Sequence, residues 1–185
     1  MLKQIISAIA AGTAVLAAAP AAQAADNFYV GADFSRMTDK GDQASAIHPL
    51  ALAVKGGIDL TPNVSIEGRY GQGVKSDDTM FNGMNLDLKL DYVYGLYAKG
   101  KLPLAAASPY VLLGYSKGKE TASVKALGLA MSAADHGVSF GIGVDVPITD
   151  SVTANAEWVR VLKGTDSAGV GYKIEALTVG VALHF

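Results

Sequence analysis

The C-terminal stretch 177–185, LTVGVALHF, carries the pattern that decides the fold. Large apolar side chains occupy every second position, and small or polar ones lie between them. The apolar set is Leu177, Val179, Val181, Leu183 and Phe185. Because successive side chains of a β-strand point to opposite faces, this stretch predicts a strand with one wholly apolar face. Its length is close to the roughly 9–11 residues that a tilted transmembrane strand needs.

Seven further stretches show a comparable pattern along the chain: 28–35, 52–60, 64–70, 90–99, 110–117, 138–146 and 152–158. In 90–99 the alternation places Leu90 and Tyr92 on the apolar face, whereas the two faces of 110–117 stay undecided. Short alternating strands separated by turn residues are typical of β-barrels. The pattern therefore predicts one all-β domain, an eight-stranded antiparallel up-and-down transmembrane barrel.

The predicted connections alternate between short and long. The short ones are 61–63, 102–108 and 147–151, and the longer ones are 38–49, 72–85, 118–136 and 163–169. Short periplasmic turns and long outer loops are typical of outer-membrane barrels. Segment 118–136 is more apolar than a solvated loop, so we expect part of it to extend two strands beyond the membrane. The alternative is that residues 126–131 contact lipid or a partner.

The N-terminus carries the features of a secretory signal peptide. Lys3 precedes the apolar run 5–16, and residues 22–24 form the A-x-A pattern of a cleavage site. We therefore predict a signal peptide at 1–24 and an outer-membrane barrel at 25–185.

The composition excludes several functional classes. Fifteen Lys and Arg against 17 Asp and Glu leave no basic surface for nucleic acid. Without cysteine there is neither a disulfide scaffold nor a Cys-ligated zinc site. Asp77 and Asp78 are too few for a calcium loop, so we predict no metal and no cofactor. Outside the N-terminus no apolar run reaches the roughly 18 residues of a transmembrane helix.

The placement of charges decides which face of the barrel meets lipid. Within the predicted strands the charges lie on the face opposite the apolar one: Asp33, Lys55, Asp59, Glu67, Arg69, Asp91, Lys99, Asp145 and Glu157. Glycines share this face, which suits a crowded barrel interior. A soluble periplasmic lipid-binding barrel, with its apolar face inside, is the alternative.

Aromatic residues mark both ends of the predicted strands. We place Phe28, Tyr110 and Phe185 at the periplasmic end, and at the opposite end Tyr70, Tyr92, Tyr115, Phe140 and Trp158. Two aromatic belts are expected where strands cross the membrane interfaces, and this favours the membrane barrel.

The inward charges predict a network. Its members are Glu67, Arg69, Asp91, Lys99 and Glu157. Buried charges need partners, and the planar fork of Arg69 suits the bridging of carboxylates, so we expect Arg69 to bridge at least one of Glu67, Asp91 or Glu157. Such a network plugs the barrel; the alternative is a small hydrated lumen.

One pair of residues has the side chains that a catalytic site requires. His136 and Ser139 have the residue types of a base and a nucleophile, as a lipid-modifying outer-membrane hydrolase requires. Their odd spacing directs them to opposite faces of the strand, and no orienting group accompanies them. We therefore predict no catalytic residue and a protein that is not an enzyme, with the hydrolase as the alternative.

A family resemblance adds to these patterns. Val179, Val181, Leu183 and the terminal Phe185 resemble the signal by which the barrel assembly machinery recognises outer-membrane barrels. Segments 29–32, 109–115 and 139–158 resemble the small porin-family, opacity and OmpA-like barrels. The resemblance implies an outer-membrane location and a structural or surface-interaction role, or a narrow or plugged channel. It implies outer-membrane lipids, lipopolysaccharide and the assembly machinery as partners, and leaves the oligomeric state open.

Overall fold

The computed structural model of the protein describes residues 27–41, 49–75, 77–81, 84–124, 129–165 and 171–185. The signal peptide predicted at 1–24 lies outside these ranges and stays a prediction. Among the described residues no helix is long and apolar enough to cross a membrane.

The described chain folds into nine β-strands. They are β1 (Phe28–Gly41), β2 (Leu50–Thr61), β3 (Val64–Lys75), β4 (Asp77–Phe81), β5 (Met84–Lys101), β6 (Ser108–Val124), β7 (Leu129–Pro147), β8 (Val152–Thr165) and β9 (Gly171–His184). All eight predicted strands are present, and most are longer than predicted, because their alternation continues into the segments assigned to loops.

The strands close into a barrel. Each pairs antiparallel with its neighbours, β1 pairs with β9, and β3 pairs with β5. The short β4 pairs with the part of β5 that precedes the β3 pairing, so β3 and β4 occupy one position in the wall. The predicted closed, eight-stranded antiparallel barrel is thereby confirmed. Closure pairs the strand edges that an open sheet leaves exposed.

The two ends of the barrel differ. The connections 62–63, 102–107 and 148–151 lie at one end, together with the start of β1 and the end of β9, and we call this the short-turn end. At the opposite, loop end the strands reach far into the predicted loops. Strands β6 and β7 stay paired from Ser108 opposite Asp145 to Val124 opposite Leu129. The predicted strand extension in 118–136 is confirmed; residues 125–128 lie outside the described residues.

The outer face of the barrel is apolar and the inner face is charged. Leu113 and Val138 are each 62% exposed on the outside, whereas Glu67 is fully buried within. The predicted assignment of faces is correct. The soluble lipid-binding alternative is wrong, because it requires the opposite arrangement. Strand β6, whose faces the sequence leaves undecided, turns Val111 outside and Leu112 inside, so that apolar side chains lie on both of its faces here.

Two predicted positions need correction. Tyr110 does not belong to the outer belt, since it is 4% exposed and points into the barrel. A β-bulge between Leu90 and Tyr92 reverses the faces along β5, because a bulge adds one residue to one strand of a pair. Leu90 therefore lies inside. Asp91, at the bulge, accepts a hydrogen bond from Thr121 at 2.7 Å.

The remaining belt residues lie on the outer face. Phe28 is exposed at the short-turn end, and Tyr70 and Tyr115 are exposed towards the loop end. Tyr92 stacks on Tyr94, and Trp158 meets the ring of Phe140 edge-on. Such amphipathic rings suit the two membrane interfaces.

The C-terminal strand closes the wall. Val179 and Val181 are 56% and 53% exposed on the outer face, and the backbone N–H of Phe185 donates to the carbonyl of Phe28 at 2.9 Å. The assembly-signal role of Val179, Val181, Leu183 and Phe185 stays a prediction.

Replacement of Val181 by lysine tests the lipid-facing assignment. We expect Val181→Lys to lower the free energy of unfolding by about 2–4 kcal/mol, since this cost applies to a lysine near the bilayer midplane. Val181→Thr keeps the β-branched shape without a charge and serves as the control. Urea unfolding in lipid vesicles measures both, and equal stabilities would contradict the assignment.

Candidate functional site

Nine charged side chains meet inside the short-turn half of the barrel, and we call them the charged layer. The layer comprises Asp33, Lys55, Asp59, Glu67, Arg69, Lys99, Lys101, Asp145 and Glu157. Their strands are spread around the wall, and the alternation of each strand turns its charge inward. Because an eight-stranded barrel is just wide enough for side chains to fill, charges from opposite walls come into contact.

Arg69 joins two opposite walls of the barrel. Its Nε donates to Oε1 of Glu67 at 2.5 Å, and its Nη2 donates to Oε2 of Glu157 at 2.9 Å. Its Nη1 donates to the other oxygen of Glu157. The guanidinium also lies 4.9 Å from the ring centroid of Tyr97. This is the planar, two-sided contact for which arginine is suited and lysine is not.

Two tyrosines complete the coordination of these carboxylates. The hydroxyl of Tyr29 donates to Oε2 of Glu67 at 2.7 Å, and that of Tyr110 donates to Oε2 of Glu157 at 2.8 Å. Every oxygen of the two glutamates therefore accepts at least one hydrogen bond. Neither tyrosine is predicted as a partner from the sequence.

The same three-residue arrangement occurs twice. Tyr29, Gly57 and Glu67 lie side by side on β1, β2 and β3. On the opposite wall, Tyr110, Gly143 and Glu157 lie side by side on β6, β7 and β8. In each triplet the tyrosine ring crosses the glycine to reach the glutamate, and a Cβ on the glycine would overlap the ring.

Lysines pair with the aspartates of the layer. Lys55 donates to Asp33 at 2.6 Å and to Asn155 at 2.8 Å. Lys99 donates to Asp145 at 2.6 Å and lies 3.9 Å from the ring centroid of Tyr110. Nearer the short-turn end, Lys101 donates to Asp59 at 2.7 Å.

The structure thus brings together most of the predicted network. Glu67, Arg69 and Glu157 are in direct contact, and Lys99 joins the layer through Asp145 rather than through Arg69. Asp91 is not part of it, because the bulge in β5 leaves its carboxylate beside Thr121.

A second, apolar layer fills the interior towards the loop end. We call it the apolar layer, and it comprises Met37, Ala51, Leu90, Val93, Val159, Val161, Ile174 and Ala176. The sequence pattern does not predict this layer, because the predicted strands end before most of these positions. Continuing the alternation of 152–158 to Val159, and that of 177–185 back to Ile174, would have found part of it.

A chain of hydroxyls separates the two layers. The hydroxyls of Tyr97 and Ser116 lie 2.6 Å apart, and those of Ser116 and Ser139 lie 2.8 Å apart. The single hydrogen of Ser139 goes to the carbonyl of Val161, so Ser139 accepts from Ser116. Val161 lies at a bulge in β8, and the hydroxyl of Ser139 provides a hydrogen bond to its carbonyl.

The residues weighed as catalytic are not in contact. Ser139 is fully buried inside the barrel, whereas His136 is exposed and lies 5.9 Å from the ring of Tyr115. In this arrangement His136 cannot take a proton from Ser139. Among the described residues no three potential metal ligands lie together.

Comparison with known proteins supports one family. The family described as outer membrane protein beta-barrel domain matches residues 7–185. The chain belongs to this family. As a family member the protein is an outer-membrane barrel, with its short-turn end towards the periplasm. No protein with a curated description matches the chain significantly.

Three solved barrels share the fold. Neisserial surface protein A is 16% identical, with a TM-score of 0.65 over 85% of this chain and 97% of that one. The attachment invasion locus protein Ail of Yersinia pestis is 15% identical, with a TM-score of 0.63 over 87% and 100%. The N-terminal barrel of Pseudomonas aeruginosa OprF is 15% identical, with a TM-score of 0.55 over 84% and 97%. Identities this low establish the fold alone.

The tyrosine–glycine arrangement predicts unequal effects at two adjacent glycines. Gly57→Ala should destabilise the barrel by about 1–3 kcal/mol, because the new methyl group overlaps the Tyr29 ring. Gly56→Ala should have little effect, since the nearest atom to its added Cβ is 3.8 Å away. Urea unfolding of both variants measures the difference, and equal losses would rule out the packing described for Tyr29.

The Arg69 bridge predicts a large loss when it is removed alone. Arg69→Met leaves two buried carboxylates without their cation, and should lower the free energy of unfolding by about 3–5 kcal/mol. Adding Glu67→Gln and Glu157→Gln should restore most of this loss, because no unpaired charge remains. Lys101→Met is the control, because its partner Asp59 is 24% exposed and the pair is worth about 1 kcal/mol or less. Equal losses for Arg69→Met and Lys101→Met would indicate a hydrated lumen.

Proposed function

We propose that this outer-membrane protein is a closed, non-conducting barrel that holds its long strand hairpins at the cell surface and performs no chemistry. The filled interior carries the proposal. The charged layer and the apolar layer lie one after the other along the barrel axis, so that anything crossing the lumen must pass both.

Each layer opposes the passage of ions for a different reason. The charged layer offers no route unless the Arg69 bridges break, which leaves buried charges unpaired. The apolar layer offers an ion no ligand to replace its hydration shell, and hydrophobic constrictions of this kind stay dry. A lumen closed by two independent layers favours a scaffold function over a channel function.

The hairpin of β6 and β7 is the most prominent feature of the loop end. From Ser116, next to the outer belt residue Tyr115, strand β6 continues for eight residues to Val124, which corresponds to about 26 Å of paired strand. A hairpin of this length extends beyond the headgroups and supports a surface-interaction role. Ail, for which a complex with the heparin analogue sucrose octasulfate is known, shares the fold.

The outer face supports contact with anionic lipid. Arg160 points outwards between the rings of Phe140 and Trp158, at 5.0 and 5.6 Å from their centroids. Its Nη2 donates to Oε1 of Glu175 at 3.0 Å, and the remaining N–H groups of a cation held among belt aromatics are suited to the phosphates of lipopolysaccharide or phospholipid. Phe185 and the alternating residues before it are the proposed contact with the assembly machinery during insertion.

Conductance in planar lipid bilayers tests the closed-barrel function. The wild type should pass almost no current, and Arg69→Ala should add only rare openings, because the apolar layer remains. Arg69→Ala combined with Val159→Ser and Ile174→Ser removes both barriers and should give frequent, larger openings. Val159→Ser with Ile174→Ser, and Arg69 intact, is the matched control. Steady wild-type current that none of these variants changes would contradict the proposal.

A further inference from the structure

The charged layer is not electrically balanced. It contains five carboxylates and four cations, so one negative charge is in excess. Lys99 with Asp145, and Lys101 with Asp59, form one-to-one pairs towards the short-turn end. The excess therefore falls on the five remaining side chains, which are Asp33, Lys55, Glu67, Arg69 and Glu157.

Within this group the unmatched oxygen belongs to Asp33. Its Oδ1 accepts from Lys55 at 2.6 Å and from Asn155 at 3.4 Å. Its Oδ2 is buried without a hydrogen-bond partner, and the residue is only 2% exposed. All four oxygens of Glu67 and Glu157 are bonded. A buried, unpartnered carboxylate oxygen is costly, which indicates that something occupies the space beside it.

A cavity adjoins Asp33. Its volume is about 60 Å³, and it lies between the two layers: Asp33, Ser35, Arg69, Glu157 and Thr178 form its polar side, and Met37, Val93, Val159, Val161 and Ala176 of the apolar layer line the rest. At roughly 30 Å³ per molecule in the liquid, this is space for about two waters or a small hydrated ion. The hydroxyls of Ser35 and Thr178 lie 2.7 Å apart and keep lone pairs for a further partner.

We propose that Asp33 and this cavity bind one monovalent cation, either a proton or a sodium ion. One positive charge neutralises the layer and satisfies Oδ2 in both cases. A proton makes Oδ2 a donor to a water or hydroxyl of the cavity, whereas sodium takes carboxylate, hydroxyl and water oxygens as ligands.

The groups that face Asp33 from the surrounding strands are compatible with the binding of one positive charge beside its carboxylate. Lys55 on β2 already occupies Oδ1, and Asn155 on β8 is neutral. Arg69 on β3 and Glu157 on β8 also line the cavity, and together with Glu67, which shares Arg69, they carry one net negative charge beside the Asp33–Lys55 pair. Thr178 on β9 supplies only a hydroxyl. The site does not depend on the proposed function, because the barrel is closed with or without the cation.

The folding equilibrium of the full barrel in lipid vesicles tests the proposal. Urea unfolding is followed by the fluorescence of Trp158, the single tryptophan. If the site holds a proton, the folded state binds one proton more than the unfolded state, and the folding constant falls by up to tenfold per pH unit as the pH rises. If it holds sodium, the constant rises by up to tenfold per tenfold increase in sodium, with choline chloride keeping the ionic strength constant.

Two neutral replacements isolate the site from other titrating groups. Asp33→Asn and Asp33→Ser remove the excess charge, and each should lose the dependence that the wild type shows. For a bound proton, the infrared band of a protonated carboxylic acid should be present in the wild type and absent in both variants. Asp145→Asn, which removes a paired aspartate of the same layer, should keep the wild-type dependence.

Two results would overturn the proposal. One is a wild type that differs from the Asp33 variants neither with pH nor with sodium. The other is an Asp145→Asn variant that loses the dependence as completely as Asp33→Asn, because the excess charge would then belong to the whole layer rather than to a site at Asp33.

Discussion

The contact of the Arg69 guanidinium with Glu67 and Glu157 is the interaction on which the barrel interior depends. The two carboxylates come from opposite walls, and each is buried almost completely. In a lumen of this width neither charge has room for a hydration shell of its own, so the three groups must satisfy one another. Tyr29 and Tyr110 follow from this constraint, because they supply the remaining donors, and Gly57 and Gly143 follow in turn, because they leave space for the two rings.

The interior is divided along the barrel axis, and this division links structure to function. The charged layer fixes the walls by directional hydrogen bonds. The apolar layer fills the remaining width of the lumen because side chains such as Leu90, Val159 and Ile174 pack together. Both layers consist of residues on one face of each strand, so the same alternation that places lipid-facing side chains outside also fills the lumen. Within the described residues, the filling of the lumen is therefore a property of the whole wall.

Period-two alternation predicted the strands, the eight-stranded barrel and the inward charges from the sequence, since the side-chain period is a local property of the backbone. It also named Glu67, Arg69 and Glu157 as neighbours. It failed at Leu90 and Asp91, because a bulge shifts the side-chain alternation by one residue and no residue type in the sequence indicates where it occurs. It failed at Tyr110, whose ring is inside because Gly143 leaves room for it across the strand pair, a contact that depends on register. The apolar layer was missed for a simpler reason, since the predicted strands ended before most of its positions.

Nuclear magnetic resonance of the Arg69 side chain, in the full barrel in lipid nanodiscs, tests the central interaction most directly. The rate at which its Nε hydrogen exchanges with water reports whether the guanidinium is held between carboxylates or hydrated. The structure predicts a separately resolved Nε–H signal that exchanges much more slowly than those of exposed arginines, and that speeds up when Glu67 is replaced by glutamine. An Arg69 Nε–H that exchanges as fast as an exposed arginine would contradict the account, because the lumen would then be a water-filled space in which these charges are merely solvated.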